Sequence, residues 1–200
     1  MVETTRNIIR NVLQAIYQPF LFALILSVFV MFFVLFLGKY KNGTVKQKIK
    51  WAFLEWKENF CKSVKFRRTL YLVFVAIMIL FKTLLNRDIW LSPFRDVIGS
   101  WGFKDYNGKF TTEIVENIVL FIPLIFFLFF FLETTSKKTT KFLKVMGMAI
   151  VISFLSSLTI EMLQLFLRLG TWQLSDLAFN TLGGVIGGLV YWVSAKIRKV

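Results

Sequence analysis

Five long apolar runs, separated by polar and charged segments, set the plan of this chain: residues 19–37, 69–85, 113–132, 143–166 and 176–195. Crossing ~30 Å of hydrocarbon takes about 20 mainly apolar residues, so each run predicts a membrane-crossing helix. The second run is the shortest and carries Lys82 near its end, where the stem can snorkel to the interface. Two further stretches are amphipathic. Ile8, Ile9, Val12, Leu13 and Ile16 form an apolar stripe, which predicts a surface helix over 4–17 lying flat on the membrane. Val45, Ile49, Phe53, Trp56, Phe60 and Val64 recur at helical spacing with lysines on the other faces, which predicts an interfacial helix inside the connection 38–68. The expected fold is therefore all-α: a polytopic membrane helix bundle of about five transmembrane helices with interfacial amphipathic helices.

The connections add detail. Residues 86–112, counted with Glu113, balance their charges yet include Trp90, Leu91, Pro93, Phe94, Trp101 and Phe103, so part of this loop is expected to dip into the interface or cover the spans as a lid. Tyr106-Asn107-Gly108-Lys109 predicts a turn. Pro123 removes a backbone donor from the third span and frees the carbonyl of Val119, which predicts a kink near 119–123. The fourth span is expected to end at Leu169-Gly170 with glycine as its cap, and the fifth to begin at Ser175-Asp176. The polar-leaning segment ahead of residue 19 starts the first run too late, and lacks the small-residue cleavage site, for a signal peptide.

Composition supports the membrane reading. A chain of 200 residues with 56% hydrophobic content, 24 phenylalanines and a mean hydropathy of +0.66 is too apolar for an ordinary soluble domain. The net charge of +14 becomes informative once it is divided by segment. Residues 38–68 hold ten Lys and Arg against Glu55 and Glu58 for +8, residues 133–144 give +3, and the tail after Ala195 gives +3. Everything else cancels. The excess thus sits on alternating connections, which the positive-inside rule assigns to the cytoplasm, with the N-terminus out and the C-terminus in. Anionic membrane lipid accounts for this charge, and no nucleic acid is needed as a partner. Cys61 is the single cysteine and histidine is absent, which excludes an intrachain disulfide, thiolate clusters, histidine triads and imidazole proton shuttles.

With that topology the polar residues of the apolar helices gather on the outer side. Ser157, Glu161, Gln164 and Arg168 follow one another at intervals of four, three and four and share a helix face. Asp176 and Asn180 lie one turn apart at the outer start of the fifth span, and Glu116 and Asn117 at that of the third. An ionisable residue inside a transmembrane helix is costly enough to be a functional candidate by default. Together with Arg95 of the loop, these nine residues are the expected ligand-binding set, with Glu161 and Asp176 the catalytic candidates. Gly183, Gly184, Gly187 and Gly188 make two overlapping Gly-x-x-x-Gly spacings, which suit close helix packing.

The order Leu91-Ser92-Pro93-Phe94, Asn117-x-x-x-Phe121-x-Pro123, Ser157-x-x-x-Glu161-x-x-Gln164 and Asp176-x-x-x-Asn180-x-x-Gly183 resembles the VanZ-like membrane proteins. The resemblance covers roughly 70–195. It divides the chain into an N-terminal extension over 1–68 and a four-span core over 69–200. Two positions depart from the family pattern: Trp90 stands where asparagine is common, and Leu124 where glycine usually follows Pro123.

The founding member of that family is associated with low-level teicoplanin resistance without remodelling of the peptidoglycan precursor. The resemblance therefore implies a multi-pass protein of the bacterial plasma membrane. It would lower susceptibility to teicoplanin-type antibiotics through an outward pocket for an amphiphile: the drug, a membrane lipid or a lipid-linked cell-wall precursor. Arg168 or Arg95 would engage a phosphate or carboxylate in that pocket. The alternative is a membrane enzyme acting on a lipid or lipid-linked sugar, with Glu161 and Asp176 as its acid/base pair. The cofactor is left open; in a metal-assisted version Glu116, Glu161 and Asp176 would supply the oxygen ligands. A third reading is an accessory subunit whose polar residues only hold its helices together.

Overall fold

A computed structural model describes residues 2–39, 44–87, 89, 92, 94–105, 107–134 and 141–198. Six α-helices follow one another: α1 (Val2–Lys39), α2 (Val45–Lys62), α3 (Val64–Leu80), α4 (Glu113–Leu132), α5 (Phe142–Leu167) and α6 (Leu174–Ile197). Five helical stretches are long and apolar enough to cross a membrane: Thr4–Leu37, Val64–Leu85, Glu113–Leu132, Phe142–Leu167 and Leu174–Ile197. No strand forms among the described residues, only isolated bridges between Ile89 and Leu169 and between Lys104 and Phe110. The second to fifth expected spans thus appear to within a few residues at each end.

The N-terminal segment differs from expectation. The surface helix 4–17 and the first span are one continuous α1, which runs through Pro19. Proline permits this because its missing N–H costs one hydrogen bond, while its fixed φ stays compatible with the helix on its C-terminal side. α2 carries the expected amphipathic pattern, opened by a capping box in which Thr44 and Gln47 serve each other's backbone N–H. Of its residues only Ala52 is buried, and Val45 and Phe53 remain 66% and 61% exposed. Much of its apolar stripe is therefore exposed, while Trp56 packs edge-to-face on Phe66 of α3 at 5.8 Å.

α6 is the centre of the bundle, packed against both α4 and α5, and its four glycines explain how. A Cβ at Gly183 would collide with the carbonyl oxygen of Ile118, and one at Gly187 with that of Ile122, so this pair lets the backbone of α4 approach directly. One residue further round, Gly184 and Gly188 face Ser153 and Ala149 of α5. The two overlapping motifs thus serve two different neighbours. Below them Phe129, Val145, Ala149, Tyr191 and Ala195 form an apolar core.

The two ends of the bundle differ in kind. Where α4 ends, Glu133 pairs with Arg68 at 3.1 Å and with Arg198 at 2.9 Å, and the Tyr191 hydroxyl donates to it at 3.0 Å. This carboxylate ties the start of α3 and the end of α6 to α4. The basic connections lie at this end; Lys137, Lys138 and Lys199 fall outside the described residues.

Gly183→Ala or Gly187→Ala should separate α4 from α6 and cost about 1–3 kcal/mol by overpacking. Gly147→Ala, where an added Cβ meets nothing within 4 Å, should leave stability unchanged or slightly raise it. Thermal unfolding of the three detergent-purified variants checks this ordering.

Candidate functional site

At the opposite end, most of the expected polar residues meet as interlocking pairs. The Asn117 amide donates to Asp176 at 2.8 Å, joining α4 to the first turn of α6. Asn180 donates to the Ser157 hydroxyl at 2.9 Å, joining α6 to α5. Glu161 is 1% exposed, and its carboxylate accepts the backbone N–H of Gln173 at 3.0 Å. Gln173, not Ser175, is the N-cap residue of α6, and its own side chain makes no capping bond. The carboxylate of α5 therefore satisfies an amide at the positive end of α6, as the helix dipole favours.

Local backbone geometry prepares these contacts. The end of the second span is not regular α-helix: Phe81–Leu85 form a π-turn, closed by Asn86 N–H donating to the Phe81 carbonyl at 2.9 Å. The carbonyl of Thr83, in the last turn before the chain leaves the helix, is taken up by the Gln164 side chain at 2.8 Å. The same turn points Lys82 inward, where it pairs with Glu116 at 2.8 Å. Lys82 thus has a partner that the sequence did not suggest, a largely buried carboxylate. Glu116 also accepts from the Thr112 hydroxyl at 2.6 Å, which in turn accepts from Asn11 of α1 at 3.1 Å.

Two arginines of the expected set are exposed. Arg168 is exposed and takes the left-handed C-cap position of α5 itself, with φ 55°. Gly170 was expected there, but its own positive φ of 81° serves the next bend. Arg95 is exposed on the loop. A further cation that reaches the network is Arg87, 3.7 Å from Asp176. Sequence spacing gave no signal for it, since it lies in a loop whose charges cancel.

The loop after Arg87 builds a cavity. Leu174 N–H donates to the Val97 carbonyl at 2.9 Å and Ser175 N–H to that of Ile98 at 3.3 Å, so residues 97–98 lie along the start of α6. Gly99, at φ 72°, touches Ser175 so closely that any Cβ would clash. Asp96 caps the Gly99 N–H at 3.2 Å and accepts from the Gln173 side chain at 3.4 Å. The expected turn at 106–109 is organised by Asp105, which accepts from Asn107 and Lys109 N–H at 2.9 and 2.8 Å; Tyr106 lies outside the described residues. Trp90, Leu91 and Pro93, which carry part of the expected lid, also lie outside them.

Between this loop and the helix ends lies a polar cavity of about 310 Å³, walled by Asn86, Arg87, Asp96, Ser100, Asp105, Asn107, Glu113, Gly170, Thr171 and Gln173. None of the nine expected residues lines it. Asp176 and Glu161 stand one contact behind, through Arg87 and Gln173. Ser100, only 6% exposed, forms no hydrogen bond through its hydroxyl among the described residues. Carboxylates, amides, hydroxyls and one guanidinium make the cavity suited to a ligand rich in hydrogen-bonding groups. Among the described residues no three acidic, histidine or cysteine side chains come close enough to hold a metal, which removes the proposed Glu116, Glu161 and Asp176 ligand set. Glu116 is engaged with Lys82 instead.

Fold and site define a multi-pass helical membrane protein with a polar network confined to one end of its bundle. The chain belongs to the VanZ/LLP1 family, whose model matches residues 20–195. That match begins at residue 20 and so takes in about half of α1 and all of α2, beyond the reach of the motifs. The chain is also similar to Protein VanZ of Enterococcus faecium, with 29% identity over 136 residues, covering 64% of this chain and 72% of that protein. No solved structure matches.

The network predicts unequal sensitivities. Asn117→Leu strips a donor from the nearly buried Asp176 and should cost about 1–3 kcal/mol of stability. Arg168→Gln, on an exposed side chain, should change stability by no more than about 0.5 kcal/mol. Thermal unfolding of both variants measures the contrast.

Proposed function

We propose that this protein lowers susceptibility to teicoplanin-type lipoglycopeptides, and that it does so at the outer face of the bacterial plasma membrane through the polar cavity over α6. The observation that carries the reading is the cavity itself. It is lined by donors and acceptors, backed by the buried Glu161 and Asp176, and set at the end of the bundle away from the basic connections. The positive-inside rule puts that end outside, with the N-terminus out and the C-terminus in. Family membership supplies the resistance setting.

The ligand in this reading is an amphiphile whose polar part enters the cavity: the antibiotic, a lipid or a lipid-linked cell-wall precursor. Arg87 takes the role first considered for Arg95 and Arg168, engaging a phosphate or carboxylate, since its fork has donors beyond the one directed at Asp176. Asp96, Asp105 and Glu113 accept from hydroxyl or ammonium groups. Binding is favoured over turnover, because Glu161 is closed off behind the Gln173 amide and, among the described residues, no nucleophile hydrogen-bonded to a base faces the cavity. The N-terminal part over 1–68 orients the spans in this account, and 69–200 carries the site.

Glu161→Gln and Arg87→Gln, compared with wild type at matched membrane abundance, test the proposal by teicoplanin susceptibility. Glutamine at 161 still offers an oxygen to the Gln173 N–H, so the fold should persist while resistance falls toward that of cells lacking the protein. Unchanged susceptibility in both variants would exclude the cavity from the mechanism.

A further inference from the structure

A second cavity lies on the other flank of α4 and shares no residue with the first. It is a cleft of about 430 Å³ between α1, α3 and α4, walled by Ile16 and Phe20, by Val75 and Ile79, and by Val119 and Pro123 among others. Its lower end is closed where Tyr71 and Phe127 bring their rings to 5.5 Å, and its α1–α3 side by the edge-to-face pair Phe20 and Phe74 at 5.4 Å. Apart from Tyr71 the wall carries no polar side chain.

The other end of the cleft is different. One helical turn beyond Ile79 stands Lys82, one turn before Leu120 stands Glu116, and α1 presents Asn11 beside Thr112. All three wall helices therefore change from apolar to polar at the same level. Lys82 is a quarter exposed, and only one of its three donors is needed by Glu116.

We propose that this cleft binds one acyl chain of a membrane phospholipid, with its headgroup at Lys82 and Asn11. Three features select that occupant. The walls belong to membrane-crossing helices, so what reaches the cleft comes from the bilayer. A peptide strand would bring backbone groups that these walls cannot satisfy, and a helix ~10 Å wide does not fit a cleft of this volume. The wall runs from Val119 to Phe127, about 12 Å along the axis of α4, a length no greater than one leaflet's half of the ~30 Å hydrocarbon core. A single flexible chain fits, and the polar rim receives the group to which it is attached. The proposal is independent of the polar cavity and of any role in resistance.

Native mass spectrometry of the detergent-purified full chain should find one phospholipid retained per protein. Val119→Trp, which fills the cleft, should lower that retention by about tenfold, while Val151→Trp on the exposed face of α5 should leave it unchanged. A phospholipid with a photoreactive group in its acyl chain, irradiated with the wild-type protein, supplies a reading that does not depend on the variant folding. Adducts should concentrate in residues 71–79 and 119–127 over the equally lipid-facing 150–155. Retention of no phospholipid, equal retention by Val119→Trp, or adducts spread evenly over the helices would overturn the proposal. A lipopeptide that competes for the labelled residues more strongly than phospholipid would also overturn it, by assigning the cleft another occupant.

Discussion

Carboxylates buried among membrane helices must each find a donor, because an unpaired buried charge costs several kcal/mol, and in this protein that demand organises one end of the bundle. Glu161, Asp176 and Glu116 lie on α5, α6 and α4, and each is answered from a different element: the Gln173 amide, the Asn117 side chain and Lys82. Two of the donors are located where the helices are not regular, whereas Asn117 stands within α4. Lys82 is turned inward by the π-turn, and Gln173 sits where α6 has not yet begun its own hydrogen bonding. Irregular backbone at membrane depth is tolerated where buried polar groups satisfy it. The polar cavity is a consequence, since the loop that completes this end is held by the same Gln173 through Asp96.

Close packing makes such pairing possible. Gly183 and Gly187 admit the backbone of α4, Gly184 and Gly188 admit α5, and the three helices are thereby fixed tightly enough for short side chains to reach across. Asn117 and Asp176, or Ser157 and Asn180, would not meet if α6 stood off by the width of a methyl group. The far end needs no such precision. There one carboxylate, Glu133, gathers two long arginines, whose flexible stems absorb error in position.

The architecture was legible in the sequence because hydrocarbon thickness imposes a length on every span, and α4, α5 and α6 fall within two residues of the apolar runs. The shared faces of the hairpin residues were legible too, since residues spaced by three and four lie together, but the partner that each one takes was not. Three features were hidden. The continuity of α1 through Pro19 was masked by a change from polar to apolar composition within one helix. The π-turn that redirects Lys82 has no periodic signature. Arg87 and Gln173 lie in connections, where spacing says nothing about what is near in space, and they reach the site only because the loop folds along the start of α6.

The central claim is that the polar end of the bundle faces outward and acts there. Asn107, exposed at the mouth of the cavity, tests both parts at once when changed to cysteine in a Cys61→Ser background. The account predicts that a membrane-impermeant thiol reagent modifies this cysteine in intact cells and that the modification lowers teicoplanin resistance. Labelling only after lysis, or modification from outside that leaves resistance intact, would contradict it.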